Sequence, residues 1–74
     1  MSAAAAPMRL LRLNGEPVQT ACATLAELLR AQGYDVSRAM ACAVNRQFVP
    51  RADWAQRALH PGDEIEVVSP VVGG

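Results

Sequence analysis

The residues of this chain best suited to chemistry are its last ones. The sequence closes on Pro70-Val71-Val72-Gly73-Gly74, directly after a strand-forming run, Glu64-Ile65-Glu66-Val67-Val68-Ser69. Proline lacks an N–H and biases the residue before it toward extended backbone, so a strand built from this run is expected to leave its sheet near Ser69. The segment from Pro70 to Gly74 then reaches about 17 Å beyond the body, at roughly 3.3–3.6 Å per extended residue. That is far enough to enter the active site of another protein. Lacking Cβ atoms, Gly73 and Gly74 can thread a narrow channel and leave the terminal carboxylate open to attack from either side. A terminal carboxylate, with a pKa of about 3.3–3.7, is ionised and a poor electrophile at neutral pH, so attack on it requires prior activation as a mixed anhydride.

Nothing along the chain is spaced to perform that activation. There is no phosphate-binding loop, no metal-ligand cluster and no nucleophile–base pair, so no catalytic residue and no metal ligand is assigned. The activating machinery is expected to be another protein. Seventy-four residues make one small domain with no room for a catalytic cleft of its own. Seven arginines are scattered against seven acidic residues for a net charge of zero, which argues against nucleic acid or an anionic membrane as partner. Lysine is absent, so the body offers no ε-amine for chain building. Cys22 and Cys42 lie in apolar surroundings without metal spacing and are expected to be buried free thiols. The start of the sequence lacks the regions of a signal peptide, and no stretch is long enough to span a bilayer. A reducing cytoplasm fits these features.

The elements that must hold this end in place can be read in order. Residues 1–7 are alanine-rich and aperiodic, and are expected to be a disordered extension; the domain is expected over 8–69, with 70–74 a flexible tail. Met8 to Leu13 and Glu16 to Thr20 read as two strands joined by an Asn14-Gly15 turn that takes positive φ at both positions. Leu11 and Leu13 face inward, leaving Leu10 outward. Thr24-Leu25-Ala26-Glu27 is a capping box opening a helix, with Glu27 reaching back to the cap amide. Leu25, Leu28 and Leu29 make its apolar stripe, and Gly33 supplies the left-handed stop. Met40 to Asn45 reads as a strand covered on both sides, with Cys42 and Val44 on one face and Ala41 and Ala43 on the other. Asn45-Arg46-Gln47 turns into a brief strand at Phe48-Val49.

After Pro50, Arg51 to Leu59 reads as one or two helical turns with Trp54 and Ala58 on one side. Trp54 is expected to be a lid on the core edge, since no aromatic or basic neighbour in sequence builds a site around it. His60, beside Pro61-Gly62-Asp63, is expected to be a solvated turn histidine. The last strand points Ile65 and Val67 inward and Glu64, Glu66 and Val68 outward. The expected core is therefore Leu11, Leu13, Leu25, Leu28, Leu29, Val44, Ile65 and Val67. Ordering a five-residue tail costs roughly 1–2 kcal/mol per residue, so affinity for a partner is expected to come from outward apolar positions on the body. Leu10, Val49 and Val68 are the candidates, with Phe48 in place of Val49 if the register shifts by one.

The element order, ending in an apolar strand and Gly-Gly, resembles the β-grasp fold of ubiquitin-like proteins. Ala43-Val44-Asn45-Arg46-Gln47-Phe48-Val49-Pro50-Arg51, then Trp54, Leu59, Gly62-Asp63, Ile65-Glu66-Val67-Val68 and Pro70-Val71-Val72-Gly73-Gly74 resemble the ThiS family of bacterial sulfur carriers in thiazole and thiamine biosynthesis. The resemblance covers nearly everything after Met8. Its most specific parts are Val49-Pro50-Arg51 with Trp54 three residues on, and Gly62-Asp63 ahead of the last strand; the extension and Cys42 depart from it. It implies an α+β fold, with a mixed sheet of four to five strands packed against one main helix. It also implies a protein cosubstrate rather than an enzyme. Its Gly74 carboxylate would be adenylated by a ThiF-like adenylyltransferase using ATP, converted to a thiocarboxylate with sulfur from a cysteine desulfurase or similar donor, and used by a ThiG-like thiazole synthase. Pro70, Val71, Val72 and Gly73 would be the part that enters the partner, and no cofactor would be bound by the chain itself. The sister MoaD family of molybdopterin synthesis also ends in Gly-Gly but usually lacks the Val-Pro-Arg-x-x-Trp segment. A ubiquitin-like modifier linked through Gly74 to lysines, and a plain interaction domain indifferent to its loss, remain as alternatives.

Overall fold

A computed structural model describes residues 8–69. The expected extension 1–7 and the tail residues Pro70, Val71, Val72, Gly73 and Gly74 lie outside the described residues. The elements run β1 (Arg9–Leu13), β2 (Glu16–Thr20), α1 (Leu25–Ala31), β3 (Ala41–Val44), β4 (Gln47–Val49), a 3-10 helix (Arg51–Asp53) and β5 (Glu64–Val68). The strands form one mixed sheet in the order β2-β1-β5-β3-β4. β5 is therefore the central strand, parallel to β1 and antiparallel to β3.

Local chemistry explains the first half of the chain. Asn14 and Gly15 both have positive φ, 51° and 84°, the geometry that suits a two-residue hairpin to the twist of its strands. Thr24 caps α1 by accepting from the Glu27 amide. The Glu27 carboxylate reaches one residue further back than a capping box predicts, accepting from Ala23 N at 2.8 Å. The cap's own neighbours make this possible, because two first-turn amides donate into the loop before β5, Leu25 N to Arg57 O and Ala26 N to Trp54 O. Those are groups a helix leaves without internal partners. At the other end, Gly33 has φ 88° and donates to Arg30 O, while Tyr34 N donates to Leu29 O. This is the paired termination expected where a glycine takes the left-handed position.

The helix packs on one face of the sheet. All eight expected core residues are buried, and Cys42, Val49, Trp54 and Leu59 join them. Cys22 is only half-buried, so the expectation of two buried thiols holds for Cys42 alone. β3 departs from its sequence reading: Ala41 is exposed and Ala43 half-buried, because among the described residues the helical layer covers only the face carrying Cys42 and Val44. An apolar run of this length does not distinguish a strand buried on both faces from one whose outer residues are merely small. Beyond the 3-10 helix, Trp54 and Ala58 separate. Trp54 is buried, whereas Ala58 is exposed and pairs with Thr24 in an isolated antiparallel bridge. The segment has too little helix to keep the two on one side.

Leu28 is fully buried between helix and sheet. Leu28→Ala is expected to cost about 2–5 kcal/mol, a large share of what a domain of this size has. Urea unfolding measures it, and a loss below about 0.5 kcal/mol would contradict the packing described.

Candidate functional site

The site is built around the end of β5, where the chain leaves the described body. On the β3 side β5 is paired along its length, from Val44↔Ile65 to Ala41↔Val68. On the β1 side the pairing is short, Arg12↔Glu64 and Leu13↔Ile65, because β1 ends in its turn while β5 runs on. The last inward residue, Val67, then takes its hydrogen bond from a side chain: Val67 N donates to Asn14 Oδ1 at 2.8 Å. The Asn14 backbone N–H donates to Ile65 O, also at 2.8 Å. A matching arrangement holds the start of β5, where Glu64 N donates to Asn45 Oδ1 at 3.0 Å and Asn45 N to Glu64 O at 2.7 Å. Asn45 Nδ2 also donates to Asp63 Oδ1, whose other oxygen accepts from His60 N. Asp63 is buried, and these bonds satisfy it. His60 itself is a solvated turn residue, its side chain 67% exposed.

The outward face of β5 meets the uncovered faces of β3 and β4. Val68, Ala41, Ala43 and Phe48, with Asn14 and Glu66 at the margin, line a shallow depression of about 260 Å³. Phe48 is 68% and Val68 65% exposed, whereas Val49 is only 7% exposed and belongs to the core. The expectation that Val49 is an outward docking candidate is thus corrected: Val49 is buried and the exposed position is Phe48, and the reason is register. A two-residue turn at Asn45-Arg46 pairs Ala43 with Phe48 and Cys42 with Val49, and directly opposed residues share a face. Leu10 is exposed as expected, at 55%, but does not join this patch. Its carbonyl accepts from Gly62 N, in the turn before β5, which places it at the opposite end of that strand from Val68.

A second depression of about 380 Å³ lies beside β4 and the 3-10 helix, lined in part by Gln47, Pro50, Asp53 and Arg57. It groups no nucleophile with a base. Among the described residues no three His, Cys, Asp or Glu side chains are gathered as metal ligands. No helix there is long and apolar enough to cross a membrane. Burial pushes the Cys42 thiol above its usual range, with Arg51 opposing. Trp54 is the expected lid, donating from Nε1 to Val49 O at 2.9 Å. Contrary to the reading that no basic group attends it, the Arg51 guanidinium lies 4.6 Å over its ring and donates to Val36 O and Arg38 O. The Val49-Pro50-Arg51…Trp54 segment is therefore a staple that ties the loop before β3 to the core. The two asparagine clamps were missed in the sequence. Their only signal is an Asn at the first position of a tight turn.

The mixed five-stranded sheet, with a central last strand and a single helix on one face, defines a ubiquitin-like β-grasp domain. A model of the ThiS family matches residues 10–74. The chain is 33% identical over 61 residues to the sulfur carrier protein ThiS of Escherichia coli (strain K12), covering 82% of this chain and 92% of that one. The chain belongs to the ThiS family. A crystal structure of the thiamine biosynthesis protein ThiS from Geobacter metallireducens superimposes with a TM-score of 0.73 at 24% identity, covering 88% of this chain and 99% of that one. A solution structure of a thiamine biosynthesis protein from the same organism gives 0.71 at the same identity. At that identity the likeness concerns the fold.

The register assignment is tested by truncation. Val49→Ala is expected to cost about 1–3 kcal/mol, whereas Phe48→Ser stays within about 0.5 kcal/mol; equal losses in urea unfolding would contradict it. In the native protein at neutral pH, iodoacetamide is expected to label half-buried Cys22 before Cys42, whose raised pKa leaves less thiolate to react. Peptide mass mapping reads the order, and faster labelling of Cys42 would show it to be accessible.

Proposed function

We propose that this chain is a sulfur carrier for thiamine biosynthesis, acted on by partner enzymes rather than catalysing a reaction itself, and that its working group is the α-carboxylate of Gly74. One carboxylate oxygen attacks the α-phosphorus of ATP in a ThiF-like adenylyltransferase and pyrophosphate leaves. The terminal sulfur of a persulfide from a cysteine desulfurase or similar donor then displaces AMP from the acyl carbon to form an acyl disulfide. A second thiol of the donor system cleaves its S–S bond, leaving a disulfide there and a thiocarboxylate on Gly74 that a ThiG-like thiazole synthase consumes. The observation that carries this reading is the family match, which runs through Gly74. The geometry supports it: β5 is central and paired on both sides, so the segment after Ser69 starts from a fixed point.

Recognition by the adenylating partner falls on the depression beside that point, with Phe48 and Val68 as its apolar anchors and Glu66 at its rim. Leu10 stands apart from it. Pro70, Val71, Val72 and Gly73 are the part that enters the partner, and their contacts largely offset the cost of ordering them. Removing Gly73 and Gly74 is expected to leave binding within about tenfold, or ~1.4 kcal/mol. Val68→Asp is expected to weaken it more, and the opposite ranking in calorimetry would make the tail the main anchor.

The experiment that tests the chemistry is ATP–pyrophosphate exchange with the adenylating partner. Residues added after Gly74 convert its carboxylate to an amide, which cannot be adenylated, so a C-terminal tag is expected to abolish exchange while leaving docking intact. The same tag before Met1 is expected to be harmless. Gly74→Ala keeps the carboxylate but crowds it, and a misplacement of about 1 Å can cost on the order of a hundredfold in rate, so it is expected to bind and react slowly. Full exchange with an untrimmed C-terminal tag would sink the reading. Intact-mass analysis from the native host separates a carrier, with one terminal oxygen replaced by sulfur, from a modifier attached to lysines.

A further inference from the structure

We propose that Asn14 is a positioning residue for the C-terminal carboxylate: its side-chain oxygen holds the β1 side of the end of β5, which β3 alone would otherwise hold, and so fixes the direction in which the chain leaves the sheet. The proposal rests on the carrier reading for its functional consequence, but not for its structural part. In a regular parallel ladder the next rung after Asn14 N→Ile65 O would be Val67 N→Asn14 O. The left-handed turn conformation of Asn14, φ 51°, carries that carbonyl away. The side-chain Oδ1 takes its place at 2.8 Å from Val67 N, so one amide group extends the ladder a rung beyond the end of β1. A longer approach of 3.5 Å from Asn14 Nδ2 to the Tyr34 hydroxyl orients the amide with its oxygen toward β5.

Val67 is the last residue of β5 whose inward side chain and β1-side amide are both held. Val68 is outward and exposed, and Ser69 follows it into the tail. Without the Asn14 acceptor, the β1 side of β5 ends at Ile65. Glu66 to Val68 are then held only by their pairing to β3, which runs to Ala41↔Val68, and the end of the strand can tilt about that single ladder. Tilt matters for this reaction because its rate depends on placing one carboxylate against one phosphorus. The protein also supplies its own control. Asn45 holds Glu64 N by the same device, from a turn residue of nearly the same φ, 53°, at the end of β5 away from the tail. Loss of either side chain removes one bond to an amide of β5, and loss of Asn45 also removes its donation to buried Asp63, so the control perturbs the strand at least as much while only Asn14 stands at the exit.

The test compares Asn14→Gly, Asn14→Asp and Asn45→Gly in the full chain. Glycine keeps the positive φ and removes the acceptor, while aspartate restores an oxygen at the same distance along the side chain. By amide hydrogen exchange, Val67 in Asn14→Gly is expected to exchange about tenfold faster, with Asn14→Asp close to the parent. Asn45→Gly is expected to speed Glu64 and leave Val67 unchanged. In pyrophosphate exchange with the adenylating partner, Asn14→Gly is expected to lower kcat about tenfold with KM within about twofold, the pattern of a lost transition-state placement rather than lost docking. Asn14→Asp restores kcat, and Asn45→Gly leaves it within about twofold. Unchanged Val67 exchange in Asn14→Gly would overturn the exit-point assignment. Faster Val67 exchange with unchanged kcat, or an equal loss of kcat in Asn45→Gly, would overturn the positioning role. A parent protein that supports no pyrophosphate exchange would instead overturn the carrier reading, and the Val67 exchange would still decide whether Asn14 sets the exit.

Discussion

The constraint on which the rest of this structure depends is that β5, the last of the described strands, is also the middle strand of its sheet. β5 pairs in parallel with β1 and antiparallel with β3, so the two halves of the sheet, β2-β1 and β3-β4, are joined through it. A parallel neighbour cannot be joined by a hairpin, and the intervening chain must cross over one face. α1 makes that crossing and buries its leucines under the sheet. The same geometry leaves β5 with no free edge, except where β1 stops short. The two asparagine amides lie at the two ends of the strand, at its start and near its exit, where neighbouring backbone turns away and ladder amides would otherwise lack partners. The bond at Glu64 is exposed, whereas that at Val67 is half-buried, and a half-buried amide left without an acceptor costs about 1–3 kcal/mol, a substantial fraction of the stability of so small a domain.

One face of the sheet is packed and the other is open, and the two are built differently. The packed face is completed at its margin by Trp54 rather than by a second helix. Its indole donates to Val49 O, and Arg51 stacks above it while holding the carbonyls of Val36 and Arg38. A planar cation suits this place because it can stack and donate in a fork at once. The open face is shaped by subtraction. Ala41 and Ala43 keep β3 low between Val68 on β5 and Phe48 on β4, so that two exposed apolar side chains flank a shallow floor. Scattered exposed apolar residues are ordinary on a protein surface. Two that flank one depression beside the end of β5 are more informative, since the proposed carrier needs a docking surface fixed relative to the point where the following segment starts.

Much of this was legible in the sequence where the signal is local. The Asn14-Gly15 turn, the Thr24 cap, the Gly33 stop and the leucine stripe of α1 each depend on residues within a few positions of one another, and each occurs where the pattern places it. The exposures of Phe48 and Val49 were not fixed by pattern, because a strand of three residues carries too few to show alternation, and its register hangs on a turn whose second residue, Arg46, takes φ 68° without being Gly or Asn. The uncovered face of β3 was hidden for a related reason: alanine is compatible with either side. The clamps were out of reach altogether. Asn14 meets Val67 across 53 positions and Asn45 meets Glu64 across 19, so no window along the chain contains both partners. At the end that matters most, the family match through Gly74 and the residue types agree, and the reading there rests on chemistry rather than on geometry.

The separation of binding from chemistry follows from the same arrangement. A free end that must enter another protein loses roughly 1–2 kcal/mol of backbone entropy for each residue it orders, so a carrier that relied on its tail for affinity would spend most of its contacts on holding itself still. A rigid patch close to the tail's root avoids that cost. Val68 is the last residue of β5 and stands six residues before Gly74, a span of about 20 Å when extended. In the proposed carrier, docking at Val68 and Phe48 would set the distance at which the carboxylate is delivered, provided the strand beneath Val68 does not slip. β5 cannot slide without breaking its pairing to β3, and cannot peel on its β1 side while Asn14 holds Val67. The sheet and the depression beside Val68 therefore give the proposed carrier one rigid base from which the residues after Ser69 start.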